Sequence, residues 1–298
     1  MRKFILGTDW WTDCDDAVAL RLICNSVKSH KIELCGVIIN ACMEHSVCSM
    51  DGFLSKEKLN DIPIGIDLNG TDFRGSRHSY QKRLANYATR YKDNYEAEDG
   101  VRLYRRLLAE SDEPVEIIEI GFLQVVADLL CSEPDDISPL CGTLLVKSKV
   151  KKFWVMAGKW DEPNGYEHNF KNSPRSIRGG SIFCEKCPVP VTFVGFEIGK
   201  SVITGGNLDP KDHLFDVLAD WGCSGVGRDS WDPITALLAV IGDEAEAGYD
   251  TVVGTASVDL TDGCNHFKQH DGGRHRYVIK LKDDGFYQDM INGIIVQM

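Results

Sequence analysis

Four aspartates near the N-terminus are the residues whose type and spacing most clearly suggest chemistry. Asp9, Asp13, Asp15 and Asp16 lie within eight positions of one another, in the segment GTDWWTDCDDA. Like charges packed so closely repel one another unless a cation neutralises them. Carboxylate oxygens are hard ligands, which select Ca²⁺ or Mg²⁺ over softer metals. The segment is therefore predicted to bind a divalent cation.

Helix capping is the competing explanation for part of this cluster. An aspartate at the N-cap or in the first turn of a helix is stabilised by free backbone N–H groups and by the helix dipole. For Asp15 and Asp16 alone, capping is the better explanation because it is so common. Capping does not account for Asp9, which is predicted to lie at the end of a strand, well before the helix. The residues taken together favour a metal site.

Strand-like and helix-like patterns alternate along the chain, and this alternation predicts how the aspartates are positioned. It indicates an α/β fold with a mostly parallel, Rossmann-like central sheet covered by helices on both faces. We expect one domain over residues 1–298, with a small antiparallel C-terminal extension formed by 251–259 and 275–282. Ligands of such folds bind outside the carboxyl ends of the strands. The predicted strands are 3–7, 32–40, 62–66, 115–120, 153–156 and 189–194, and the predicted helices are 16–28, 80–91, 100–109, 123–131, 174–184, 211–219 and 233–241.

Composition and charge argue against several classes of partner. The chain of 298 residues has a net charge of −12, and nucleic acids and anionic membranes both repel an acidic surface. No apolar run approaches the ~20 residues needed to cross a bilayer, and the N-terminal stretch does not have the pattern of a signal peptide. Eleven scattered cysteines, with one CxxC at Cys184 and Cys187, are typical of reduced thiols. These features predict a cytoplasmic protein whose partner is neither a nucleic acid nor a membrane.

The acidic segment resembles the N-terminal signature of the inosine–uridine-type nucleoside hydrolases, in which a strand ends in an Asp-rich turn that closes with Asp-Asp-Ala. The commonest form has three residues between the first Asp and the Asp-Asp pair. This chain has five, residues 10–14, which matches a longer variant of the loop in the same superfamily. The resemblance implies Ca²⁺-dependent hydrolysis of the N-glycosidic bond of a ribonucleoside, with release of base and ribose. It also implies a homodimer or a homotetramer.

Roles for the acidic residues follow from this resemblance. It implies that Asp9 and Asp16 ligate Ca²⁺, that Asp9 also activates the attacking water, and that Asp15 binds ribose hydroxyls. Asp13 has no counterpart in the common form. Three roles are open for it: a metal ligand, a hydrogen-bond acceptor that contacts the ligands and not the metal, or a helix cap.

Two downstream positions would complete the calcium site. Asp232, in the run SWDP, resembles the family's late calcium aspartate, and a helix N-cap followed by Pro233 is the alternative. Ile120 resembles the residue whose backbone carbonyl is another ligand. The usual Gly-Pro-Leu-Thr-Asn run after that position is replaced here by residues 121–124, GFLQ, which is a departure from the family pattern.

Three polar residues are candidates for binding the ribose. Glu167 and Asn169, in the run GYEHNF, resemble the family's Glu-aromatic-Asn group, and between them they offer acceptors and donors for hydroxyls. Their position after the 153–156 strand supports this role. Asn40 closes the second strand and faces the same predicted edge, although the usual Gly-Asn is absent.

Trp231 stands where inosine–uridine-preferring members have a histidine, and that histidine is implicated in protonating the departing base. Trp231 cannot deliver a proton at neutral pH, but it can stack on a base. Trp10 and Trp11 could complete such an aromatic sandwich, and core packing is the alternative for each tryptophan. His168 is the alternative proton donor, and His45 and His78 are more remote ones.

Two other functions are compatible with the acidic cluster. One is an Mg²⁺-dependent phosphohydrolase that would use Asp13 and Asp15, whose spacing fits but whose position beyond the strand end does not. The other is a catalytically weak or inactive protein that binds a nucleoside or sugar and has kept the calcium site.

Overall fold

The computed structural model describes residues 1–75 and 79–297 of the chain. Ten strands form one central sheet, and two further short strands, β8 and β9 below, pair only with each other. The strands are β1 (Arg2–Thr8), β2 (Ile32–Ile39), β3 (Ile64–Ile66), β4 (Glu98–Asp99), β5 (Val115–Glu119), β6 (Val150–Met156), β7 (Val191–Val194), β8 (Ile203–Thr204), β9 (Arg228–Asp229), β10 (Tyr249–Val258), β11 (Asn265–Gln269) and β12 (His275–Lys280).

Helices cover both faces of this sheet. Along β1, Phe4 and Leu6 belong to one buried apolar cluster and Ile5 belongs to another, as expected for a strand with helices packed on either side. The helices are α1 (Asp15–Lys28), α2 (Ser46–Lys56), α3 (Gln81–Ala85), α4 (Gly100–Glu110), α5 (Gln124–Cys131), α6 (Gly142–Lys149), α7 (His168–Lys171), α8 (Pro174–Lys186), α9 (Phe196–Gly199), α10 (His213–Trp221), α11 (Trp231–Ile241) and α12 (Asp284–Ile295).

The strand order of the central sheet is β11-β10-β12-β7-β6-β5-β1-β2-β3-β4. All neighbours from β12 to β4 are parallel, whereas β10 runs antiparallel to both β11 and β12. The predicted α/β class and the predicted antiparallel C-terminal strands are confirmed. Because β12 pairs with β7, these strands extend the main sheet and do not form a separate appendage.

Several elements are present that the apolar patterns do not indicate, among them α2, α6, α12 and β11. In α2 the small residues Ser49, Gly52 and Ser55 weaken the helical signal. Packing supports this helix instead, since the backbone at Gly52 lies so close to Leu84 that a Cβ would sit 1.9 Å from the Leu84 carbonyl oxygen. The predicted helix at 80–91 is shorter in the structure and covers only Gln81–Ala85.

The parallel strands bring their carboxyl ends to one edge of the sheet. Asp9 follows β1 and Ile120 follows β5, on neighbouring strands. Met156 ends β6, and Phe196 comes two residues after β7. This edge is therefore where residues far apart in the chain can act together. Within residues 1–75 and 79–297, no helix has both the length and the hydropathy needed to cross a membrane.

Gly121 lies where the loop after β5 passes the loop after β1. A Cβ at Gly121 would lie 2.3 Å from the backbone nitrogen of Asp9 and 2.7 Å from the amide oxygen of Asn40. These groups are held by backbone or by burial, so a side chain there must displace the loop that carries Asp9.

Replacing Gly121 by alanine should therefore lower the free energy of unfolding by about 1–3 kcal/mol, the usual cost of overpacking. Gly293, in α12, has nothing within 4 Å of its Cβ position and provides the matched control. Gly293→Ala should be neutral or raise stability by up to about 1 kcal/mol, because alanine favours the helix. Urea unfolding of both variants measures the difference, and equal stabilities would contradict the close approach at Gly121.

Candidate active site

A cleft opens at the carboxyl edge of the sheet and collects most of the residues that the sequence singles out. Its lining comes from the loop after β1, the ends of β5 and β6, the segment 167–169, and the starts of α9 and α11. The lining residues are Asp9, Thr12, Asp13, Asp15, Asp16, Ile120, Met156, Glu167, His168, Asn169, Phe196, Trp231 and Asp232.

The loop after β1 holds Asp9 in a fixed orientation. The Asp9 carboxylate accepts hydrogen bonds from the N–H groups of Trp11 (3.1 Å) and Thr12 (3.0 Å) and from the Thr12 hydroxyl (2.8 Å). Trp10, which lies between Asp9 and Trp11 in the chain, has a φ of 58°, in the left-handed region that non-glycine residues seldom adopt. The chain thus turns sharply at Trp10 and wraps its own N–H groups around Asp9.

Three further carboxylates meet where two helices begin. Asp15 and Asp16 are the first residues of α1, and Asp232 is the second residue of α11. Each offers an oxygen, and the three oxygens lie within 4.8 Å of one another. The Asp232 N–H donates to an Asp15 oxygen at 3.0 Å, and the Thr8 hydroxyl donates to Asp16. Ser230 is the N-cap of α11 and Asp232 lies in the first turn, so Asp232 is not the N-cap itself.

Burial and mutual repulsion raise the pKa values of these carboxyl groups. Desolvation is the largest cause for Asp15, Asp16 and Asp232, and the negative charges of neighbouring aspartates add to it. The pKa of Asp9 is raised by desolvation as well, although its hydrogen bonds with Thr12 and Trp11 oppose the shift. A set of buried oxygen donors that resists ionisation fits a hard divalent cation, whose charge would offset the repulsion.

Asp13 has a partner that the sequence does not indicate. Its carboxylate forms an ion pair with Arg228, with distances of 2.5 Å to Nη2 and 3.0 Å to Nε. Arg228 lies on β9, more than two hundred positions along the chain, so no local pattern marks this contact. The structure pairs Asp13 with Arg228, and the role of Asp13 in the site stays a prediction.

Glu167 and Asn169 face the carboxylates from the loop after β6. Glu167 is the N-cap of α7 and accepts the N–H groups of Asn169 (2.8 Å) and Gly158 (3.0 Å). Burial raises the pKa of Glu167 to about 7. The Asn169 amide donates to the carbonyl of Met156 at 2.9 Å and approaches that of Ile120 at 3.5 Å. The predicted ribose residues therefore lie beside the predicted carbonyl ligand.

His168 also lines the cleft, and its ring lies 5.8 Å from that of Phe122. Desolvation in the cleft lowers the pKa of His168, while the charges of Asp9 and Asp13 oppose this shift. His45 is the N-cap of α2 and is not part of the lining. His78 lies outside the described residues.

Trp231 and Phe196 form an aromatic wall in the lining of the cleft. Trp231 stacks on Phe196, with ring centroids 5.3 Å apart and an angle of 21° between the planes. The Trp231 indole N–H donates to the Phe196 carbonyl at 2.9 Å, and the Arg228 guanidinium lies 5.4 Å from the Trp231 ring centroid. The sequence patterns did not single out Phe196. It lies two residues after β7, and a position just beyond the carboxyl end of a strand is the same signal that points to Asp9 and Ile120.

Trp10, Trp11 and Asn40 are not among the lining residues. Trp10 is fully buried in the core, where its indole N–H donates to the Ser49 hydroxyl at 2.8 Å. Trp11 packs in a small apolar cluster with Phe122. The expected three-tryptophan sandwich is therefore not formed, because the sharp turn at Trp10 carries both indoles away from the cleft.

Asn40 lies behind the cleft and holds the loop after β5. It is 1% exposed, and its side-chain oxygen accepts the N–H of Phe122 at 3.1 Å. Within the described part of the chain its amide nitrogen has no hydrogen-bond partner. A direct contact between Asn40 and substrate stays a prediction.

Comparison with known proteins gives a likeness in structure and none in sequence. No protein-family model matches the chain, and no curated protein sequence matches it. The inosine-uridine preferring nucleoside hydrolase from Bacillus anthracis aligns over 100% of both chains, with a TM-score of 0.64 and 17% identity. The purine-preferring ribonucleoside hydrolase from Gardnerella vaginalis covers 99% of each chain, with a TM-score of 0.67 and 14% identity.

A third similar structure is the type III effector protein XopQ in complex with adenosine diphosphate ribose. It covers 99% of this chain and 93% of the effector, with a TM-score of 0.70 and 14% identity. Similarity at such identities concerns the backbone architecture, and it extends over essentially the whole length of the chain. The architecture implied by the acidic loop is confirmed: the chain has the nucleoside hydrolase fold.

Proposed function

We propose that this protein hydrolyses the N-glycosidic bond of a ribonucleoside and releases the free base and ribose. The observation that carries the proposal is the meeting of four buried aspartates with Glu167 and Asn169 in one cleft at the carboxyl edge of the sheet. The aspartates suit a cation, and the Glu–Asn pair suits ribose hydroxyls. The fold that this chain shares with nucleoside hydrolases supports the same reading.

The proposed cofactor is Ca²⁺, held by Asp9, Asp16, Asp232 and the carbonyl of Ile120. All four groups offer oxygen and line the same cleft, which fits a hard cation with several oxygen ligands. When bound, such a cation lowers the pKa of water and neutralises the clustered charge. The oxygens that lie within 4.8 Å of one another belong to Asp15, Asp16 and Asp232, so Asp15 is close enough to be a fifth donor, and one of its oxygens accepts the Asp232 N–H. We assign its other oxygen to a ribose hydroxyl.

Asp9 is the proposed general base. It is 2% exposed, and its three hydrogen bonds fix the plane of the carboxylate. A fixed carboxylate can take a proton from water as the water attacks the anomeric carbon, while the electrons of the N-glycosidic bond pass to the base. Glu167 and Asn169 would hold the sugar during this step, since both are themselves held by backbone hydrogen bonds.

The departing base is proposed to lie against Trp231 and Phe196, with His168 as the polar group that assists it. Both residues line the cleft with their rings stacked on each other, and aromatic faces accept any base by stacking. His168 is the histidine that lines the cleft in the described part of the chain. Trp231 therefore supplies stacking, and the polar contact comes from a different loop.

The two alternatives fit the site less well. A phosphohydrolase would need Asp13 or Asp15 free to act, but Asp13 is paired with Arg228 and Asp15 with the backbone of Asp232. A binding protein without turnover is the stronger rival, because one similar structure holds adenosine diphosphate ribose. An assay for release of free base from purine and pyrimidine nucleosides separates hydrolysis from binding.

The assembly and the compartment stay predictions. The resemblance implies a homodimer or homotetramer, which light scattering on the purified protein would measure. A cytoplasmic location rests on the cysteine content, and all eleven cysteines are free thiols in the structure.

Asp232→Asn tests the cation site through stability. In EDTA the substitution should raise the melting temperature by several degrees, because it relieves about 1–2 kcal/mol of repulsion with Asp15 and Asp16. Added Ca²⁺ should stabilise the native protein strongly and the variant weakly. Asp271→Asn, at an exposed site, should behave like the native protein in both conditions. If Ca²⁺ stabilised the native protein and Asp232→Asn equally, Asp232 would not be a ligand.

Asp9→Asn tests the general base. The amide can keep the N–H bonds from Trp11 and Thr12 but cannot accept a proton from water, so the rate of base release should fall by about 10²–10⁴-fold. Removal of the cation with EDTA should abolish release, and Ca²⁺ should restore it. Normal turnover in either experiment would contradict the proposed mechanism. The melting temperature of Asp9→Asn reports whether its fold is intact.

Trp231→Ala tests the aromatic wall. Loss of one stacking partner should lower kcat/KM for nucleosides by about 10–100-fold, while Ca²⁺ still raises the melting temperature. Trp231→Phe keeps an aromatic face and should retain most of the activity. An unchanged rate for Trp231→Ala would remove this residue from the base site.

A further inference from the structure

The side-chain amide of Asn172 connects His168 to a distant part of the chain. Asn172 follows α7 directly, one helical turn after His168, and its backbone N–H donates to the His168 carbonyl at 3.0 Å. Its side chain is 9% exposed. The amide nitrogen lies 2.5 Å from the Arg74 carbonyl oxygen and 2.8 Å from Nε2 of His168. The amide oxygen lies 2.6 Å from the Arg74 backbone nitrogen.

These contacts allow a single orientation of the amide. The backbone N–H of Arg74 can only donate, so it must face the Asn172 oxygen. The carbonyl of Arg74 can only accept, so it must face the Asn172 nitrogen. Rotating the amide by half a turn would set donor against donor and acceptor against acceptor. The group that faces His168 is therefore the NH₂ group, with one hydrogen for Arg74 and one for the imidazole.

A donor facing Nε2 determines where the imidazole carries its hydrogen. Nε2 must accept, and a neutral imidazole that accepts at one nitrogen has its hydrogen on the other. We propose that Asn172 holds His168 as the neutral tautomer with its hydrogen on Nδ1, so that His168 offers the departing base a hydrogen bond and not a full proton. The hydrogen bond to the departing base rests on the proposed hydrolase function, whereas the tautomer does not.

The surroundings of His168 agree with this role. Within residues 1–75 and 79–297, Nδ1 has no hydrogen-bond partner, which leaves it for a ligand in the cleft. A second proton would have to sit on Nε2 and point at the Asn172 NH₂ group. The charged groups that act on the ring are Asp9 and Asp13, which favour the imidazolium, and Lys171, which opposes it.

The position of the hydrogen can be measured without turnover. In protein labelled with ¹⁵N-histidine, the nitrogen shifts and the nitrogen–carbon-proton couplings distinguish the two neutral tautomers, and the signal that disappears in His168→Phe assigns the residue. Above the ordinary titration range of histidine, the native protein should show the hydrogen on Nδ1. Asn172→Asp presents an acceptor to Nε2, so the hydrogen should move there.

If Asn172→Asp does not fold, the tautomer can be measured in Asn172→Ala. With no donor at Nε2, His168 should become a mixture of both tautomers. A native protein with the hydrogen on Nε2, or an Asn172→Ala protein that keeps it wholly on Nδ1, would overturn the proposal.

Activity provides the second readout. Asn172→Ala should lower kcat/KM for nucleosides about tenfold, the loss expected for one well-placed hydrogen bond. It should leave hydrolysis of 4-nitrophenyl riboside unchanged, because that leaving group needs no hydrogen-bond assistance. A purely structural role for Asn172 would slow both substrates equally and contradict the proposal. Asn164→Ala, at an exposed position of the loop before α7, is the matched control and should affect neither.

The two hypotheses fail in different ways. If the native protein released no base from any nucleoside, the proposed hydrolase function would be lost, while the tautomer measurement would still decide the role of Asn172. If base release is normal but the hydrogen of His168 lies on Nε2, only the inference about Asn172 is wrong.

Discussion

Repulsion among buried carboxylates is the constraint on which the rest of this structure depends. Asp15, Asp16 and Asp232 bring three oxygens within 4.8 Å of one another in a nearly solvent-free position. Removing an ionised carboxylate from water costs several kcal/mol even after relaxation. Local groups offset part of this cost, since the N-termini of α1 and α11 meet there and the Asp232 N–H of α11 donates to Asp15. The remaining charge is what the proposed cation would neutralise.

The same constraint explains the unusual loop after β1. Its sharp turn at Trp10 directs the N–H groups of Trp11 and Thr12 to Asp9 and that of Trp10 to Asp16. The turn also buries the Trp10 indole in the core, where Phe53 and Tyr80 pack edge-on against it. The strained residue is therefore anchored by a large apolar side chain. Packing far from the cleft thus maintains the geometry of the acidic residues.

The cleft has two halves of different construction, which the proposed function assigns to the sugar and to the base. The sugar half is built on the ends of β1, β5 and β6, which are rigid because each strand is paired on both sides. The base half is built from short elements: Phe196 on α9, Trp231 at the start of α11, and Arg228 on the two-stranded β8–β9 pair. The Asp13–Arg228 ion pair joins the halves. Such a division allows the base site to vary while the sugar site stays constant.

Apolar periodicity was sufficient to predict the α/β class and most of the main strands, and the acidic cluster at a strand end singled out Asp9, whereas Ile120 and Asp232 were found through the resemblance. These inferences depend on local patterns, and local patterns are carried by consecutive residues. Helix α2 was missed because its small residues hide the periodicity, and Trp10 was misplaced because a single backbone torsion decides which way its indole points.

The sequence by itself determined that an acidic loop follows the first strand and that an α/β sheet would present it at a ligand-binding edge. Only the tertiary structure decided that Asp13 pairs with Arg228, that Phe196 stacks on Trp231, and that Arg74 orients the amide of Asn172. Each of these contacts joins residues separated by at least thirty-five positions. Spacing along the chain carries no information about such pairs, because they meet through the packing of whole elements.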